Sequence, residues 1–333
     1  MIISALKSSI ESDKRSPIHI DTINALTDLV GEVRFEENIG EGINISDKIF
    51  EEAGLKRYSR EDCLKDSDLI ISNQPIELHE LELIKKGSTI LGMVNPFSNE
   101  KLINECSRLN INLVSMEFIP RITRAQKMDV LSSQANLAGY VAVLESAKYL
   151  STALPMMMTA AGTLKPAKVF IIGVGVAGLQ AIATAKRLGA RVEAFDTRDV
   201  VEEQVNSLGA KFVKIDLGKT GETDQGYAKE LTEEQINKQK ELQSKVCERS
   251  DIVITTAQLF GRPAPLLIDN KTIDRMMPGS VIFDMAVESG GNVEGSEVDK
   301  IVERNGVKII GISNLASRVS NHASLALSNN YNN

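Results

Sequence analysis

Three glycines have the spacing that suits the phosphates of a dinucleotide. Gly173, Gly175 and Gly178 form a G-x-G-x-x-G pattern directly after the apolar run Lys168–Ile172. The first glycine of such a pattern allows a tight turn, the second lets the backbone approach a pyrophosphate, and the third lets a helix pack closely on the strand. The pyrophosphate then lies against the N–H groups and the positive dipole end of that helix. The pattern therefore predicts a dinucleotide site, with the helix opening near Ala177.

An acidic residue stands where the ribose of such a dinucleotide would need it. Asp196 ends the run Arg191–Phe195, close to the offset of about 20 residues expected after the glycines. A carboxylate there accepts the ribose hydroxyls and repels a 2′-phosphate, which favours NAD(H) over NADP(H). Arg198 could stack on the adenine or soften that rejection. The competing interpretation is a glycine-rich core turn with a helix-capping aspartate, and the flanking strand and helix favour the dinucleotide site.

The segments around these motifs alternate between short apolar strands and helical patterns, which predicts parallel sheets built from βα units. We expect an α/β fold of two Rossmann-like lobes joined by a long helix over Ser132–Leu150, with the cofactor in the cleft. The predicted domains are an N-terminal lobe of residues 1–131 with 318–333 and a dinucleotide-binding domain of residues 132–317. The expected strands are Val33–Glu36, Leu69–Ser72, Ile90–Val94 and Leu113–Ser115 in the first lobe, and Lys168–Ile172, Arg191–Phe195, Lys211–Ile215, Asp251–Thr255, Ser280–Phe283 and Val307–Ile310 in the second.

The bulk composition limits the classes of function. Of the 333 residues, 42% are hydrophobic and 25% are charged, and the net charge is −7. This mixture is typical of a soluble globular protein, and the acidic balance argues against a nucleic-acid partner because such proteins need a basic face. The three cysteines lie far apart and the three histidines are isolated. We therefore expect reduced thiols and no metal site.

Neither a leader nor a membrane span is expected. The N-terminus lacks the basic start and apolar core of a signal peptide. Val169–Ala185 contains no charged residue, but it is shorter than the about 20 apolar residues that a spanning helix needs, and glycines interrupt it. This run is interpreted as a buried strand, a glycine turn and a helix of small residues.

Other segments permit more than one interpretation. Met156–Met158 is interpreted as flexible core filler in preference to a patch that faces a ligand. Asp216–Tyr227 could be a plain surface loop or a lid over bound nucleotide. A strongly charged helix is expected over Lys229–Arg249. A helix from Ser317 is expected to return to the first lobe, and the polar tail Ser328–Asn333 is expected to fray.

A second motif precedes the glycines and carries a family resemblance. Pro120–Tyr140, with the sequence PRITRAQKMDVLSSQANLAGY, resembles the signature of the NAD(H)-binding subunit of proton-translocating nicotinamide nucleotide transhydrogenases. The runs Lys165–Phe212, Gly226–Leu231, Asp251–Ile268 and Pro278–Asn292 resemble the same family. The resemblance is dense from about Gly92 to Ser320 and looser before that. Alanine dehydrogenase is a related family with much of the same architecture.

The resemblance implies an activity and a set of partners. In the transhydrogenase family, NADH on this subunit passes a hydride directly to NADP+ on a separate subunit, and a membrane subunit couples the transfer to proton movement. The expected cofactors are therefore NAD(H) on this chain and NADP(H) on the partner. A homodimer on the cytoplasmic side of the inner membrane, held there by the partner subunits, is also implied. Members of the family usually continue beyond the position of Asn333 through a longer closing helix.

The resemblance also implies site residues. Gln126 would hydrogen-bond the nicotinamide carboxamide, within a catalytic network that includes Arg121, Asp129 and Ser132. The implied cofactor-binding residues are Arg121, Ile122, Thr123, Arg124 and Gln126 before the long helix, Gly173, Gly175, Val176, Ala177 and Gly178 at the glycine turn, Asp196, Thr197 and Arg198 after the next strand, and Gly226 and Tyr227 on a mobile loop.

The residue types agree with direct transfer between two nicotinamides. Such a transfer moves no proton at the reacting carbon, so it needs two rings held face to face with water kept out. A glutamine that reads the carboxamide and a charge network that fixes the ring are sufficient for that task. From composition alone, the segment ITRAQKMD could equally be a solvated helix start with Thr123 as its cap. The resemblance favours the site.

The main alternative is an amino-acid dehydrogenase similar to alanine dehydrogenase. That reaction must move protons, so it needs a histidine near the nicotinamide, assisted by a carboxylate, and cations for the substrate carboxylate. The sequence LGMVNPF stands at Leu91–Phe97, where the relative has its histidine, and no histidine occurs between His79 and His322. Glu288 stands where the relative has its catalytic aspartate. The missing proton-transfer group argues against this alternative.

Two further positions bear on the choice between a transhydrogenase subunit and an amino-acid dehydrogenase. Ser72 stands where both families usually place a lysine, whereas Arg15 could fill the position of the substrate-binding arginine.

The third hypothesis is a non-catalytic module that senses NAD. Such a module would keep the glycine pattern and Asp196 but would not need Gln126 and Asp129.

Overall fold

The computed structural model describes residues 1–28, 31–218 and 232–333. The chain forms two compact units, of which the first comprises residues 1–134 with 316–333 and the second comprises residues 135–315. Each unit contains a large sheet of mostly parallel strands, which confirms the predicted α/β class with two Rossmann-like lobes.

The first unit contains a six-stranded sheet whose neighbouring strands all run parallel. Its strands are β1 (Ile2–Ala5), β2 (Glu32–Glu36), β3 (Lys56–Tyr58), β4 (Leu69–Ser72), β5 (Thr89–Gly92) and β6 (Asn112–Ser115). Their order across the sheet is β3-β2-β1-β4-β5-β6, so the direction of winding reverses between β1 and β4. Ligands of open α/β sheets bind beyond the carboxyl ends of the strands at such a point.

The second unit contains a seven-stranded sheet and a separate hairpin. Its strands are β7 (Met157–Thr159), β8 (Gly162–Leu164), β9 (Lys168–Ile172), β10 (Arg191–Phe195), β11 (Lys211–Phe212), β12 (Ile252–Thr255), β13 (Val281–Asp284), β14 (Lys300–Arg304) and β15 (Val307–Gly311). The large sheet has the order β11-β10-β9-β12-β13-β15-β14, and β14 alone in it runs antiparallel among the described strands. The order reverses between β9 and β12, so the glycine turn after β9 lies at the switch point.

Helices connect the strands and cover the sheets. They are α1 (Ile23–Thr27), α2 (Asp47–Glu52), α3 (Arg60–Lys65), α4 (Glu100–Leu109), α5 (Val130–Tyr149), α6 (Val176–Arg187), α7 (Glu202–Ser207), α8 (Glu233–Cys247), α9 (Asn270–Ile273) and α10 (Ser320–Asn332). The long helix predicted over Ser132–Leu150 is α5, which begins in the first unit and ends in the second. Among the described residues, no helix is both long and apolar enough to cross a membrane.

The apolar run after residue 168 folds as the sequence predicts. Residues 169–172 belong to the buried strand β9, and α6 begins three residues after the first glycine of the pattern, at Val176. The side chains of Phe170 and Ile171 are fully buried, which explains why the run lacks charges. The run is therefore a strand, a turn and a helix.

Five of the described strands were not predicted from the sequence, namely β1, β3, β7, β8 and β14. β1 has only four residues, yet it lies at the centre of its sheet with Ala5 fully buried. The predicted strand Ile90–Val94 is β5, which begins at Thr89 and ends earlier than predicted, at Gly92. The predicted strand Lys211–Ile215 likewise ends at Phe212.

The prediction that Met156–Met158 fills a core was wrong. These methionines are 60%, 45% and 86% exposed, and they lie at the start of the hairpin formed by β7 and β8. Leu164 on the second strand of the hairpin is 49% exposed. The hairpin pairs with itself and not with the large sheet, so its apolar side chains have no sheet face to cover.

The prediction that the tail frays was also wrong. Helix α10 continues to Asn332, and Leu327 and Tyr331 belong to the hydrophobic core of the first unit. The polar residues of the tail find partners there, since the Ser328 hydroxyl accepts a hydrogen bond from the backbone N–H of His19 at 3.1 Å. The return of this helix to the first lobe, which the sequence predicted, is confirmed.

Candidate functional site

The glycine turn of the second unit lies between β9 and α6. Gly173 has a φ of 97°, in the left-handed region that favours glycine. Its N–H donates a hydrogen bond to the carbonyl of Phe195 at 2.9 Å, which ties the turn to β10. The N–H groups in the first turn of α6, which begins at Val176, have no acceptor within the helix. Such groups can receive an anion.

Steric crowding explains two of the three glycines. A Cβ on Gly178 would lie 2.0 Å from the carbonyl oxygen of Gly173, and a Cβ on Gly173 would lie 2.5 Å from the hydroxyl of Thr256. A Cβ on Gly175 would meet no described atom within 4 Å. Gly173 and Gly178 are therefore needed for packing, whereas Gly175 leaves open space beside the turn where a ligand can approach the backbone.

The carboxylate of Asp196, directly after β10, is held on both oxygens. Oδ2 accepts hydrogen bonds from the Val174 N–H at 2.7 Å and from Arg198 Nη2 at 2.8 Å. Oδ1 accepts from the backbone N–H and from Nε of Arg198, both at 2.9 Å. Asp196 is only 8% exposed. The acidic residue is thus bonded to the glycine turn, and its negative charge is partly neutralised by a guanidinium.

Arg198 completes this arrangement and bears on cofactor choice. Its Nη2 also donates to the carbonyl of Val174 at 3.2 Å, so the guanidinium bridges Asp196 and the glycine turn. Thr197, between the two charged residues, is half-buried. The position of Arg198 favours the interpretation in which it softens the rejection of a 2′-phosphate, because a paired carboxylate repels a phosphate less than a lone one.

The long helix α5 packs against the start of α6 within the second unit. A Cβ on Gly139 would lie 2.2 Å from the carbonyl oxygen of Ala177, so only glycine allows this approach. Asn136 Nδ2 donates to Gln180 Oε1 at 3.4 Å. The helix that presents its N-terminus at the glycine turn is therefore fixed by α5.

Residues that the sequence reasoning missed support the glycine turn. Thr256 follows β12, and its hydroxyl donates to the carbonyl of Gly173 at 2.9 Å. Asn292 and Asp284 hold the loops next to it, with both side chains fully buried. Asn292 lies within a segment that carries the family resemblance. The contact between Thr256 and Gly173 spans 83 residues of sequence, so no local sequence pattern indicates it. The pair Thr255 and Thr256 at the carboxyl end of β12 was the sequence feature that could have indicated this support.

The Arg121–Ser132 segment lies in the first unit and brings several predicted residues together. Asp129 Oδ1 accepts from the Ser132 N–H at 2.9 Å, and Oδ2 accepts from the Ser132 hydroxyl at 2.6 Å, so Asp129 caps α5. Arg121 Nε lies 3.9 Å from Asp129 Oδ2. The structure therefore brings Arg121, Asp129 and Ser132 together, and the backbone carbonyl of Gln126 accepts the N–H of Asp129 at 3.3 Å.

The residues between Arg121 and Gln126 are mostly exposed. A 3₁₀ turn spans Thr123–Met128, and Arg121, Ile122, Thr123, Arg124 and Gln126 are all exposed on the first unit. The residue before this turn is Ile122, and no side-chain cap bond is present there among the described residues. Thr123 therefore does not cap the turn, whereas the charged side chains face water as the solvated alternative expects. The same exposure leaves these side chains accessible to a ligand.

Asn330 fastens this segment to α10. Its Nδ2 donates to the carbonyl of Lys127 at 2.7 Å, and its Oδ1 accepts from the Ser133 hydroxyl at 2.7 Å. Asn330 is 7% exposed. A side chain in the tail that the sequence predicted to fray thus holds both the 3₁₀ turn and the first turn of α5.

Two positions relevant to amino-acid oxidation are engaged in internal contacts. Arg15 donates from Nε and Nη2 to the two carboxylate oxygens of Asp13, each at 2.7 Å, and from Nη1 to Gln134 Oε1 at 3.1 Å. The Ser72 hydroxyl donates to the carbonyl of Gln74 at 2.7 Å. Ser72 is 1% exposed, so it takes the place of a lysine as a buried turn residue.

The three cysteine thiols are free and buried. Burial raises the pKa of the Cys63 and Cys247 thiols to about 12, and burial also raises the pKa of Cys106. The described part of the chain contains no group of three or more His, Cys, Asp or Glu side chains that could hold a metal. Gly226 and Tyr227 lie outside the described residues, as does most of the predicted lid.

A glycine turn at the switch point of a parallel sheet, with an acidic residue after the next strand, defines a nucleotide-binding protein of the Rossmann class. Comparison with known proteins agrees. The profile of the alanine dehydrogenase/PNT N-terminal domain matches residues 7–138, and that of the C-terminal domain matches residues 142–333. The chain therefore belongs to the alanine dehydrogenase/PNT family.

Within this family, the chain has higher sequence identity to transhydrogenase subunits than to alanine dehydrogenase 1. The chain is 44% identical to the first part of NAD(P) transhydrogenase subunit alpha of Rickettsia prowazekii, over 99% of this chain and 88% of the relative. It is 45% identical to the protein of the same name from Rhodospirillum rubrum, over 97% of this chain and 86% of the relative. Identity to alanine dehydrogenase 1 of Staphylococcus aureus is 24%, over 98% of this chain and 84% of the relative.

Solved structures show the same ranking. A crystal structure of a transhydrogenase from Sinorhizobium meliloti has a TM-score of 0.90 and 41% identity, and the match covers 100% of this chain and 92% of that chain. An L-alanine dehydrogenase has a TM-score of 0.83 at 21% identity, covering 100% of this chain and 88% of that chain, which shows a shared fold.

Proposed function

We propose that this chain is the NAD(H)-binding subunit of a transhydrogenase, and that it passes a hydride from NADH to NADP+ bound on a partner subunit. A membrane subunit would couple the transfer to proton translocation. The observation that carries the nucleotide part is the glycine turn with its open side at Gly175 and Asp196 bonded to Val174. The 44–45% identity to transhydrogenase alpha subunits supports the reaction and the partner.

The described residues fit an NAD(H) molecule in chemical terms. The N–H groups at the start of α6 would receive the pyrophosphate, with Val176 and Ala177 presenting them beside Gly175. Asp196 would accept hydrogen bonds from the adenosine ribose, and Thr197 and Arg198 would lie along the same edge. Gly226 and Tyr227 remain predicted contacts.

The first unit would supply the residues for the nicotinamide. The nicotinamide supplies the hydride, and the chain needs to hold the ring and to exclude water. Gln126 would bind the carboxamide, while Asp129 keeps Arg121 and Ser132 in place through contacts of 3.9 and 2.6 Å. The exposed side chains of Ile122, Thr123 and Arg124 would contact the cofactor.

The contacts of the first unit argue against amino-acid oxidation. A substrate carboxylate needs a cation, and Arg15 already donates to both oxygens of Asp13. The position that usually holds a lysine is the buried Ser72, and no histidine lies between His79 and His322 in the sequence. A module that only senses NAD would have no need of the contact network around Asp129, which argues against that alternative too.

Binding and transfer can be tested in two steps. Fluorescence titration of the purified chain should give tight binding of NADH and much weaker binding of NADPH. Addition of an NADP(H)-binding transhydrogenase subunit should then allow NADH to reduce NADP+. Alanine-dependent reduction of NAD+ by the chain alone would refute the proposal, and NADH binding without transfer to any partner subunit would favour the sensing module.

We also propose a homodimer, supported by the exposed hairpin. Met156, Met157, Met158 and Leu164 present apolar surface to water on a hairpin that pairs only with itself, which is typical of surfaces that contact another chain. Met158→Glu should shift the chain toward monomer in sedimentation velocity experiments, whereas Met277→Glu, at a methionine that is 65% exposed elsewhere, should not. A wild-type chain that sediments as a monomer would refute the homodimer.

The remaining proposals concern organisation and location. The two units would act as the predicted domains, residues 1–131 with 318–333 and residues 132–317. The chain would lie on the cytoplasmic side of the inner membrane, attached through its partner subunits. Membrane recovery of the chain should then depend on coexpression of those subunits, and recovery without them would contradict this location.

A further inference from the structure

A single peptide plane in the glycine turn is held from two sides. The carbonyl of Gly173 accepts the Thr256 hydroxyl at 2.9 Å, and the N–H of Val174 donates to Asp196 Oδ2 at 2.7 Å. These groups are the two ends of the same peptide unit. Thr256 follows β12 and Asp196 follows β10, and these strands flank β9 in the sheet. We propose that Thr256 is a positioning residue for pyrophosphate binding, because it sets the orientation of this peptide plane.

The orientation of this peptide plane matters because the backbone of a glycine rotates more freely than that of other residues. Gly173 has no Cβ and a φ of 97°, so the peptide that follows it can turn at low cost unless its polar groups are held. A turned peptide would lose its bonds to Thr256 and Asp196 and would change the polar groups that the glycine turn presents to a pyrophosphate. A pre-oriented turn binds more tightly because less order has to be gained on binding.

Thr256 is itself held, through the residue that follows it. The backbone N–H of Ala257 donates to Asn292 Oδ1 at 3.1 Å, and the Ala257 carbonyl accepts from Asn292 Nδ2 at 2.9 Å. Asn292 Nδ2 also donates to the carbonyl of Pro265 at 2.8 Å. Because Asn292 is 0% exposed, water does not compete for these bonds. The loop after β12 is therefore fixed next to the glycine turn.

Asp284 anchors the loop that carries Asn292. This carboxylate, at the end of β13, is 0% exposed and accepts the backbone N–H groups of Ala286 at 2.9 Å, Asn292 at 3.0 Å and Val293 at 3.3 Å. Hydrogen bonds to a charged acceptor are stronger than those between neutral groups. The support of the glycine turn thus extends over three neighbouring strands, from Asp284 through Asn292 to Thr256.

The test compares isosteric variants at two threonines of the second unit. Thr256→Val removes the hydroxyl and keeps the shape, whereas Thr256→Ser keeps the hydroxyl. Thr272→Val is the matched control, since Thr272 is also buried and its hydroxyl donates to Asp269 Oδ1 at 2.7 Å, outside the chain of contacts from Asp284 to Thr256. Dissociation constants are measured for NADH, for ADP-ribose, which carries the pyrophosphate, and for adenosine, which lacks it.

Thr256→Val should weaken binding of NADH and ADP-ribose by about tenfold, since the part-buried carbonyl of Gly173 loses its donor. Adenosine binding should change by less than about twofold, because Asp196 still meets the ribose. Thr256→Ser and Thr272→Val should bind all three ligands like the wild type. If valine prevents folding, as judged by circular dichroism, Thr256→Ala provides the same comparison.

The inference rests on the proposed NAD(H) site, and the two can fail separately. Wild-type chain that binds neither NADH nor ADP-ribose would refute the proposed function and the inference with it. Wild-type binding together with unchanged ADP-ribose binding by Thr256→Val would refute the inference alone. Equal losses for adenosine and ADP-ribose would also refute it, because they would indicate general damage to the site and not a displaced pyrophosphate.

Discussion

Replacement of Asp196 by asparagine tests how the chain chooses its cofactor. The change keeps the shape of the side chain and removes its negative charge. An asparagine oxygen in the place of Oδ2 can still accept from the Val174 N–H and from Arg198 Nη2. Its amide nitrogen would then face the backbone N–H and Nε of Arg198, which donate to the present Oδ1 at 2.9 Å each. We expect weaker binding of NADH together with weaker discrimination against NADPH.

The magnitude follows from the bonds that the carboxylate can make. Hydrogen bonds to a charged group contribute about 1.5–3 kcal/mol, so losing one from the ribose at about 2 kcal/mol weakens NADH binding about 30-fold. NADPH has a phosphate in the place of this hydroxyl and loses no such bond, so the preference for NADH should fall by about the same factor of 30, although Arg198 already weakens the repulsion of the phosphate. The carboxylate is 8% exposed, so water screens this effect little.

Isothermal titration with NADH and NADPH measures both quantities. Asp199→Asn is the matched control, because this aspartate lies three residues further along the chain and is exposed. The control should bind NADH within about twofold of the wild type, as surface substitutions usually do. An Asp196→Asn variant that binds NADH like the wild type, or keeps its preference over NADPH, would refute the assigned role.

Three other predictions follow from particular contacts. Asn330→Ala should weaken NADH binding about fivefold and leave ADP-ribose binding unchanged, because Asn330 holds Lys127 in the segment that we propose binds the nicotinamide; equal losses would contradict this. Cys63 and Cys247 should resist a thiol reagent at pH 8 until urea is added, because a pKa of about 12 keeps them neutral thiols; rapid labelling of the folded chain would contradict this. Gly178→Ala should lower the melting temperature, since its Cβ would lie 2.0 Å from a backbone oxygen, and a melting temperature equal to that of the wild type in calorimetry would contradict it.

The fold could be predicted where apolar residues form continuous runs. β4 and β9 have the predicted bounds because buried strands of parallel sheets are apolar along most of their length. β10 also has the predicted bounds, although Arg191 and Glu193 interrupt its apolar residues. β1 was missed because its four residues lie at the start of the chain without a preceding turn. β14 was missed because it is an edge strand, and its Lys300 and Arg304 follow no apolar pattern.

The candidate site could be predicted only in part for a similar reason. The glycines and Asp196 are close in sequence and follow strict local geometry, so their spacing was informative. The supports of the turn come from distant loops, as in the contact between Thr256 and Gly173. Asn330 contacts Lys127 across 203 residues, and nothing in a polar tail indicates that partner. Sequence patterns report neighbours along the chain, whereas such supports depend on tertiary folding.

The central claim is that NADH bound on this chain gives its hydride directly to NADP+ on a partner. The most direct measurement mixes the chain with an NADP(H)-binding transhydrogenase subunit, NADP+, and NADH that carries deuterium at the transferred position. We expect the deuterium to appear in NADPH, with no NADPH formed when either protein is omitted. Loss of the deuterium to water, or NADPH formation without this chain, would contradict direct transfer from NADH on this chain.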